Sequence, residues 1–177
     1  MLGVGEKLRE ATRLKEEGNG LVQQKEYRKA CKVYRRVFAY TNGLISKEDQ
    51  AMAQYTAEKD LVSAVDMKNI NELKAATYTN LALCYIRLAE FDRAAECASK
   101  ALEVDPDNVK ALVRFGTAAT ELRQWEKSKD AFVRALKLDP NNAAVKAEVM
   151  AWKTKYGKWQ EEQSQREKQL FGGKFLS

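Results

Sequence analysis

Two short stretches set a lysine one helical turn ahead of another hydrogen-bond donor. These are Lys15 with Asn19 in RLKEEGNGL, and Lys110 with Arg114 in VKALVRFG. Asn80, in TNLALCY, is a further amide of the same kind. Residues four apart share a helix face. Ammonium and guanidinium groups only donate hydrogen bonds, and each asparagine amide adds two donors. Gathered in one place, these five residues, none of them an acid, would hold an anion. A carboxylate suits them best, at about 1.5–3 kcal/mol per charge-assisted bond. A lone Lys15–Asn19 pair beside Glu16 and Glu17 would simply face water. The chemistry therefore depends on elements that bring three distant segments together.

Other chemistries find little support. The chain has no histidine among its 177 residues, which removes the commonest acid–base group and metal ligand. It also lacks a glycine-rich phosphate loop and a nucleophile with an evident base, so no enzymatic activity is expected of it. Cys31, Cys84 and Cys97 have no metal-ligand spacing, and their odd number does not suggest a disulfide framework. They read as small buried thiols, and no cofactor is implied. A net charge of +6 favours acidic partners without demanding nucleic acid. No apolar run approaches membrane-spanning length, and MLGVGEKLRE lacks the apolar centre of a signal peptide. A cytoplasmic protein that binds neither nucleic acid nor membrane is the expectation.

The positioning elements come from a repeat. AATYTNLALCYIRLAEFDRAAECASKALEVDPDN (75–108) aligns with VKALVRFGTAATELRQWEKSKDAFVRALKLDPNN (109–142) at a constant offset of 34. Ala82 meets Gly116, Leu88 meets Leu122, Phe91 meets Trp125, and Pro106 meets Pro140. The same frame fits 11–44, with Gly18, Tyr27, Ala30 and Tyr34 in the matching places. Between the first two copies lies an insertion, 45–74. Ser46 with Asp49 reads there as a variant capping box opening a helix over KEDQAMAQYTAEKDLVSA. After the third copy, Val145, Val149, Trp152, Tyr156 and Trp159 recur at steps of four and three, one apolar stripe on a helix that Gly157 interrupts. Seven or more helices and no sheet are expected.

The 34-residue period, the small residue at its eighth place and the Ala-x-x-x-Tyr of the first copy resemble the tetratricopeptide repeat, a helix–turn–helix unit. The resemblance implies an all-α, right-handed solenoid in which the first helix of each repeat lines a concave groove. The domain is expected over 1–170: repeats 11–44, 75–108 and 109–142, a capping helix over 143–170, and a tail over 171–177. At about 100° per residue, Leu14, Gly18, Leu21, Ala82, Tyr85 and Gly116 fall on a packing side. Lys15, Asn19, Asn80, Lys110 and Arg114 fall on the opposite side, toward the groove.

Lys-x-x-x-Asn, Asn and Lys-x-x-x-Arg in successive repeats also resemble the two-carboxylate clamp of co-chaperone repeats, which grips the C-terminal Glu-Glu-Val-Asp of heat-shock protein 90 or heat-shock protein 70. The resemblance implies that Lys15, Asn19 and Asn80 hold the terminal carboxylate. Lys110 and Arg114 would then hold side-chain carboxylates and peptide backbone. EKLREATRLKEEGN, the insertion, TNLALCYIRL and REKQLFGGKF are similar to FKBP-type immunophilins, and the insertion also to cyclophilin-type and aryl-hydrocarbon-receptor-interacting relatives. This implies a non-catalytic docking part, which an isomerase domain could precede in a longer protein. Phe115 departs from the pattern, since many relatives carry a second arginine there. Val22, Leu83 and Thr117, each one turn after a clamp residue, are candidates for a peptide pocket. As an alternative, the basic, aromatic final helix resembles calmodulin targets, making the chain a scaffold for calmodulin or another partner.

Overall fold

The structure, a computed structural model, describes residues 2–172, except for the side chains of residues 50, 59, 171 and 172. Three antiparallel helix pairs form its body: α1 (Val4–Gln23) with α2 (Tyr27–Thr41), α4 (Ala64–Arg87) with α5 (Phe91–Val104), and α6 (Val109–Glu121) with α7 (Trp125–Leu138). A last helix, α8 (Ala143–Gly172), packs on both α6 and α7. Adjacent pairs join through α2 against α4 and α5 against α6, so each repeat closes on its neighbours. The all-α solenoid read from the period is the observed fold.

Every repeat turns at the same place and in the same way. Lys25, Ala89 and Arg123 adopt left-handed backbone, with φ of 61°, 57° and 57°. The following amide bonds five residues back in each case: Glu26 to Leu21 at 2.8 Å, Glu90 to Tyr85 at 2.9 Å, and Gln124 to Ala119 at 2.8 Å. These complete Schellman motifs satisfy carbonyls that the end of the first helix would otherwise orphan. Side chains set the starts. Ser63 Oγ accepts from the Asp66 amide at 3.1 Å to open α4, and Asn108 Oδ1 accepts from Ala111 at 3.0 Å to open α6. Asn142 Oδ1 takes the amides of Ala144 and Val145 before α8.

The core lies between helices of a pair and between pairs. Ala30, Cys31, Tyr34, Leu81, Cys84, Tyr85, Ala94 and Ala118 form one buried cluster; Leu112, Ala131, Ala135 and Val145 form another at the capped end. Cys31 and Cys84 are fully buried and Cys97 partly so, as expected of structural thiols. Two pairs close on a glycine. A Cβ on Gly18 would lie 2.4 Å from Tyr34 Cε1, and one on Gly116 would lie 2.8 Å from Phe132 Cε1. In the second repeat the corresponding places hold two alanines, Ala82 and Ala98, both buried.

The insertion departs from expectation. Before α4 begins at Ala64, its only helical pieces among the described residues are a single turn, α3 (Gln50–Ala53), and a 3₁₀ turn at Glu58–Asp60. Met52 and Tyr55 are 50% and 83% exposed, so a longer helix there would have no apolar face to bury. Asp49 alone caps the turn, through the Met52 amide at 3.2 Å, while Ser46 Oγ takes the Glu48 amide. A two-stranded parallel ribbon also appears, β1 (Ile45–Ser46) beside β2 (Leu61–Val62), where no sheet was expected. It lets Leu44, Val62 and Ile70 pack together against Val4 and Leu8 of α1. Lys7 Nζ pairs with Asp60 Oδ1 at 2.8 Å beside them.

The stripe of α8 covers the third repeat. Val145 and Val149 join the core there, and Trp152 Nε1 donates to Ser128 Oγ of α7 at 2.7 Å. Trp152, Tyr156 and Trp159 stack in series, with ring centroids 5.1 and 5.7 Å apart, and Trp125 of α7 tilts onto the last two. Gly157 does not interrupt the helix, contrary to expectation. A helical glycine costs only about 1 kcal/mol, and the stacked rings on either side of it offset that. The expected tail extends beyond Gly172, outside the described residues.

Candidate functional site: a donor-lined groove

Four of the five predicted donors belong to one network that crosses all three repeats. Closure of α2 on Gly18 brings the Tyr34 ring under α1, and its hydroxyl donates to Oδ1 of the next residue, Asn19, at 2.8 Å. Asn80 Nδ2 of α4 donates to that same oxygen at 2.9 Å. Two donors on one oxygen fix the Asn19 amide with its Nδ2 pointing out. From α6, an Arg114 nitrogen bonds the Thr79 carbonyl and lies 3.5 Å from Asn80 Oδ1. Tyr34 is fully buried, and burial pushes its hydroxyl up to about 12, so it remains a donor at neutral pH.

Sequence reasoning placed Tyr34 in the repeat frame and gave it no part in the site. The available signal was chemical: a buried tyrosine hydroxyl needs a partner, and Asn19 follows the glycine against which its ring closes.

Arg114 is the unusual cation. It is half-buried, and burial draws its pKa below the ordinary guanidinium value. No ion pair joins it to a carboxylate among the described residues. It stays charged regardless, so it is a desolvated cation held by a carbonyl and an amide. Lys110, one turn earlier on α6, is exposed and enters no ion pair among the described residues.

The first repeat corrects the expectation of a donor set without acids. Glu16 turns one oxygen to Lys15 Nζ at 2.8 Å and the other to Asn19 Nδ2 at 3.0 Å. Those two donors, Lys15 first, hold its carboxyl below the usual carboxylate range. An exposed acid of the chain thus occupies the donors expected to hold a terminal carboxylate.

Of the candidate pocket residues, Val22 packs half-buried against the large core cluster and Leu83 is half-buried on α4. Thr117 is engaged: its hydroxyl contacts the Val113 carbonyl and donates to Glu148 Oε2 of α8 at 3.1 Å. Elsewhere, a cleft of about 660 Å³ opens between the insertion, α4 and the connection from α5 to α6. It is lined by Glu48, Glu72 and Asp105 as well as Lys68, and by none of the five donors. Mixed charge without convergent donors makes it a poorer site than the smaller-featured groove. The described residues contain no cluster suited to a metal, and none of their helices is long and apolar enough to cross a membrane.

Comparison with known proteins agrees with this architecture. The tetratricopeptide-repeat family matches residues 75–108 and again 109–142. Residues 75–142 therefore comprise two tetratricopeptide repeats. The curated relatives that the chain resembles include FKBP-type peptidyl-prolyl isomerases. The bovine (Bos taurus) peptidyl-prolyl cis-trans isomerase FKBP4 is 28% identical over 170 residues, covering 96% of this chain and 33% of that protein. The chain spans a third or less of the length of these relatives.

Among solved structures, the C-terminal TPR-containing domain of a Plasmodium falciparum putative FK506-binding protein superposes with a TM-score of 0.73 at 23% identity, covering 92% of this chain and 97% of that one. The first TPR of Spaghetti (RPAP3), bound to the HSP90 peptide SRMEEVD, gives 0.63 at 23%, covering 84% and 97%. The second TPR domain of human RPAP3, in complex with the HSP70 peptide SGPTIEEVD, gives 0.61 at 22%, covering 85% and 98%.

Proposed function

We infer that this domain docks the acidic C-terminal tails of heat-shock chaperones and carries out no chemistry of its own. The observation that carries the reading is Arg114: a desolvated guanidinium on the groove helix, without a carboxylate partner, one turn from the exposed Lys110. A buried cation left in that state is stabilised when a ligand brings the anion. Lys15, Asn19 and Asn80 take the ligand's terminal carboxylate, displacing Glu16. Lys110 and Arg114 take an acidic side chain or the peptide backbone. Val22, Leu83 and Thr117 form the walls. The homology to FKBP4 and the chaperone peptides bound by related domains support this reading. In a longer protein the domain would carry an isomerase to its chaperone.

The aromatic face that suggested calmodulin is turned to Trp125 and Ser128, which favours the capping role. The test is calorimetry with SRMEEVD as the free acid and as the C-terminal amide. The amide replaces an anionic acceptor with a neutral group that brings donors toward donors. Its binding should weaken by about 1.5–3 kcal/mol, and added salt should weaken the free acid more than the amide. Equal affinities would show that the first-repeat donors read no terminal carboxylate.

A further inference from the structure

Glu148 brings a second carboxylate, besides Glu16, to the donor-lined groove. Its helix, α8, packs on α6, and its Oε2 receives the Thr117 hydroxyl at 3.1 Å. Thr117 lies one turn beyond Arg114 on α6, on the side away from Lys110. Glu148 is half-buried and forms no ion pair among the described residues. An acid so close to an anion site opposes an acidic ligand unless that ligand supplies a cation of its own.

We propose that Glu148 selects peptides carrying an arginine or lysine about five residues upstream of their C-terminus, an inference that rests on the clamp reading above. Direction and distance both support it. The terminal carboxylate sits where α1 meets α4, and Glu148 stands where α6 meets α8. With neighbouring helices about 8–10 Å apart, the separation is two spacings, roughly 16–20 Å. An extended chain advances about 3.3 Å per residue, so five residues cover about 17 Å, and a long side chain closes the rest. SRMEEVD places its arginine five residues before the terminal aspartate, whereas SGPTIEEVD has no cation. Glu148 therefore favours the HSP90-type tail over the HSP70-type tail.

The experiment is calorimetric titration of the full chain with SRMEEVD, its Arg→Ala version SAMEEVD, and SGPTIEEVD. Each is measured on the natural protein and on Glu148→Gln, which keeps an oxygen for Thr117. On the natural protein, SAMEEVD should bind about two- to fivefold more weakly than SRMEEVD, as a half-exposed ion pair allows. On Glu148→Gln that difference should vanish, and SGPTIEEVD should bind as well as before or better. Equal binding of SRMEEVD and SAMEEVD by the natural protein would overturn the proposal without any protein variant. So would a difference that persists in Glu148→Gln. Arg114→Ala is the control for the underlying reading. If it leaves SRMEEVD binding intact, the clamp itself has failed, a result distinct from a working clamp that ignores the upstream residue.

Discussion

The first and third repeats share a scaffold and differ in what they leave unsatisfied. Each closes a glycine onto a ring, Gly18 onto Tyr34 and Gly116 onto Phe132, and each presents a lysine one turn before a second donor. In the first repeat the ring carries a hydroxyl that orients Asn19, and the exposed Glu16 occupies Lys15 and Asn19 from outside. In the third repeat the ring is mute, and Arg114 is desolvated and enters no ion pair among the described residues. The same packing thus builds one end of the groove whose lysine already holds a replaceable anion and another whose cations pair with no acid among the described residues. Affinity should concentrate at the third repeat, and recognition of a free terminus at the first.

Single substitutions can break that asymmetry. Arg114→Ala should weaken binding of a chaperone tail peptide by about tenfold to a hundredfold, the equivalent of one charge-assisted contact. Lys15→Ala should cost less, because its gain on binding is only an exchange of Glu16 for the peptide. Calorimetry on both variants, with helicity checked by circular dichroism, measures the difference. Equal losses would mean that Glu16 does not compete in solution.

The shared scaffold can be tested next. Gly18→Ala and Gly116→Ala each drive a methyl into a buried ring, at 2.4 and 2.8 Å from the nearest carbon. Overpacking costs about 1–3 kcal/mol, from which the better helix propensity of alanine recovers up to about 1. A net loss of about 1–2 kcal/mol is expected for both, read as a lowered denaturant midpoint. Only Gly18→Ala should also impair peptide binding beyond its effect on stability, because displacing the Tyr34 ring releases Asn19. Ala82→Gly, in the repeat that packs alanine in the glycine's place, should cost about 1–2 kcal/mol, from helix propensity and the loss of a buried methyl.

How far the sequence revealed all this depends on the kind of interaction. The repeat register, the packing side that holds Gly18 and Gly116, and the capping stripe were legible because burial writes a periodic pattern. The groove face followed from the same period, and four of its five donors do join one network. Glu16 was visible as a neighbour, but which way its carboxylate turns is a rotamer choice without a periodic trace. Thr117 was named as a candidate wall residue, but Glu148 was not, because it arrives from α8, outside the repeat frame. The insertion was misread because a capping-like Ser46 and Asp49 outweighed the lack of any apolar face in the segment after them.

The Glu16 contact gives a smaller effect of opposite sign. Glu16→Gln removes the anion that competes for Lys15 and Asn19 while leaving an acceptor for the amide. Tail-peptide affinity should rise, by about two- to fivefold at low salt, the range of an exposed pair. The gain should shrink as salt screens the charges. An unchanged affinity at low salt would mean that the pair dissolves into solvent and that the two ends of the groove are equally open.

The finest comparison lies in the turns. Lys25, Ala89 and Arg123 hold left-handed backbone in the three repeats, and all three are exposed. That conformation costs a side-chain-bearing residue about 1–2 kcal/mol, whereas glycine adopts it freely but loses about 0.5–1 kcal/mol through its more flexible unfolded chain. Substitution by glycine should therefore stabilise each turn by about 0.5–1 kcal/mol, or about 1–4 °C in a domain of this size. Ala89 is the cleanest site, since it gives up only a methyl. If the repeats unfold as one unit, the three variants should gain alike, because each turn then counts fully toward the single transition. A gain at Ala89 and Arg123 without one at Lys25 would mean that the first repeat, separated from the others by the insertion, opens ahead of them. The donors that read the free terminus would then be more mobile than the arginine that supplies the affinity.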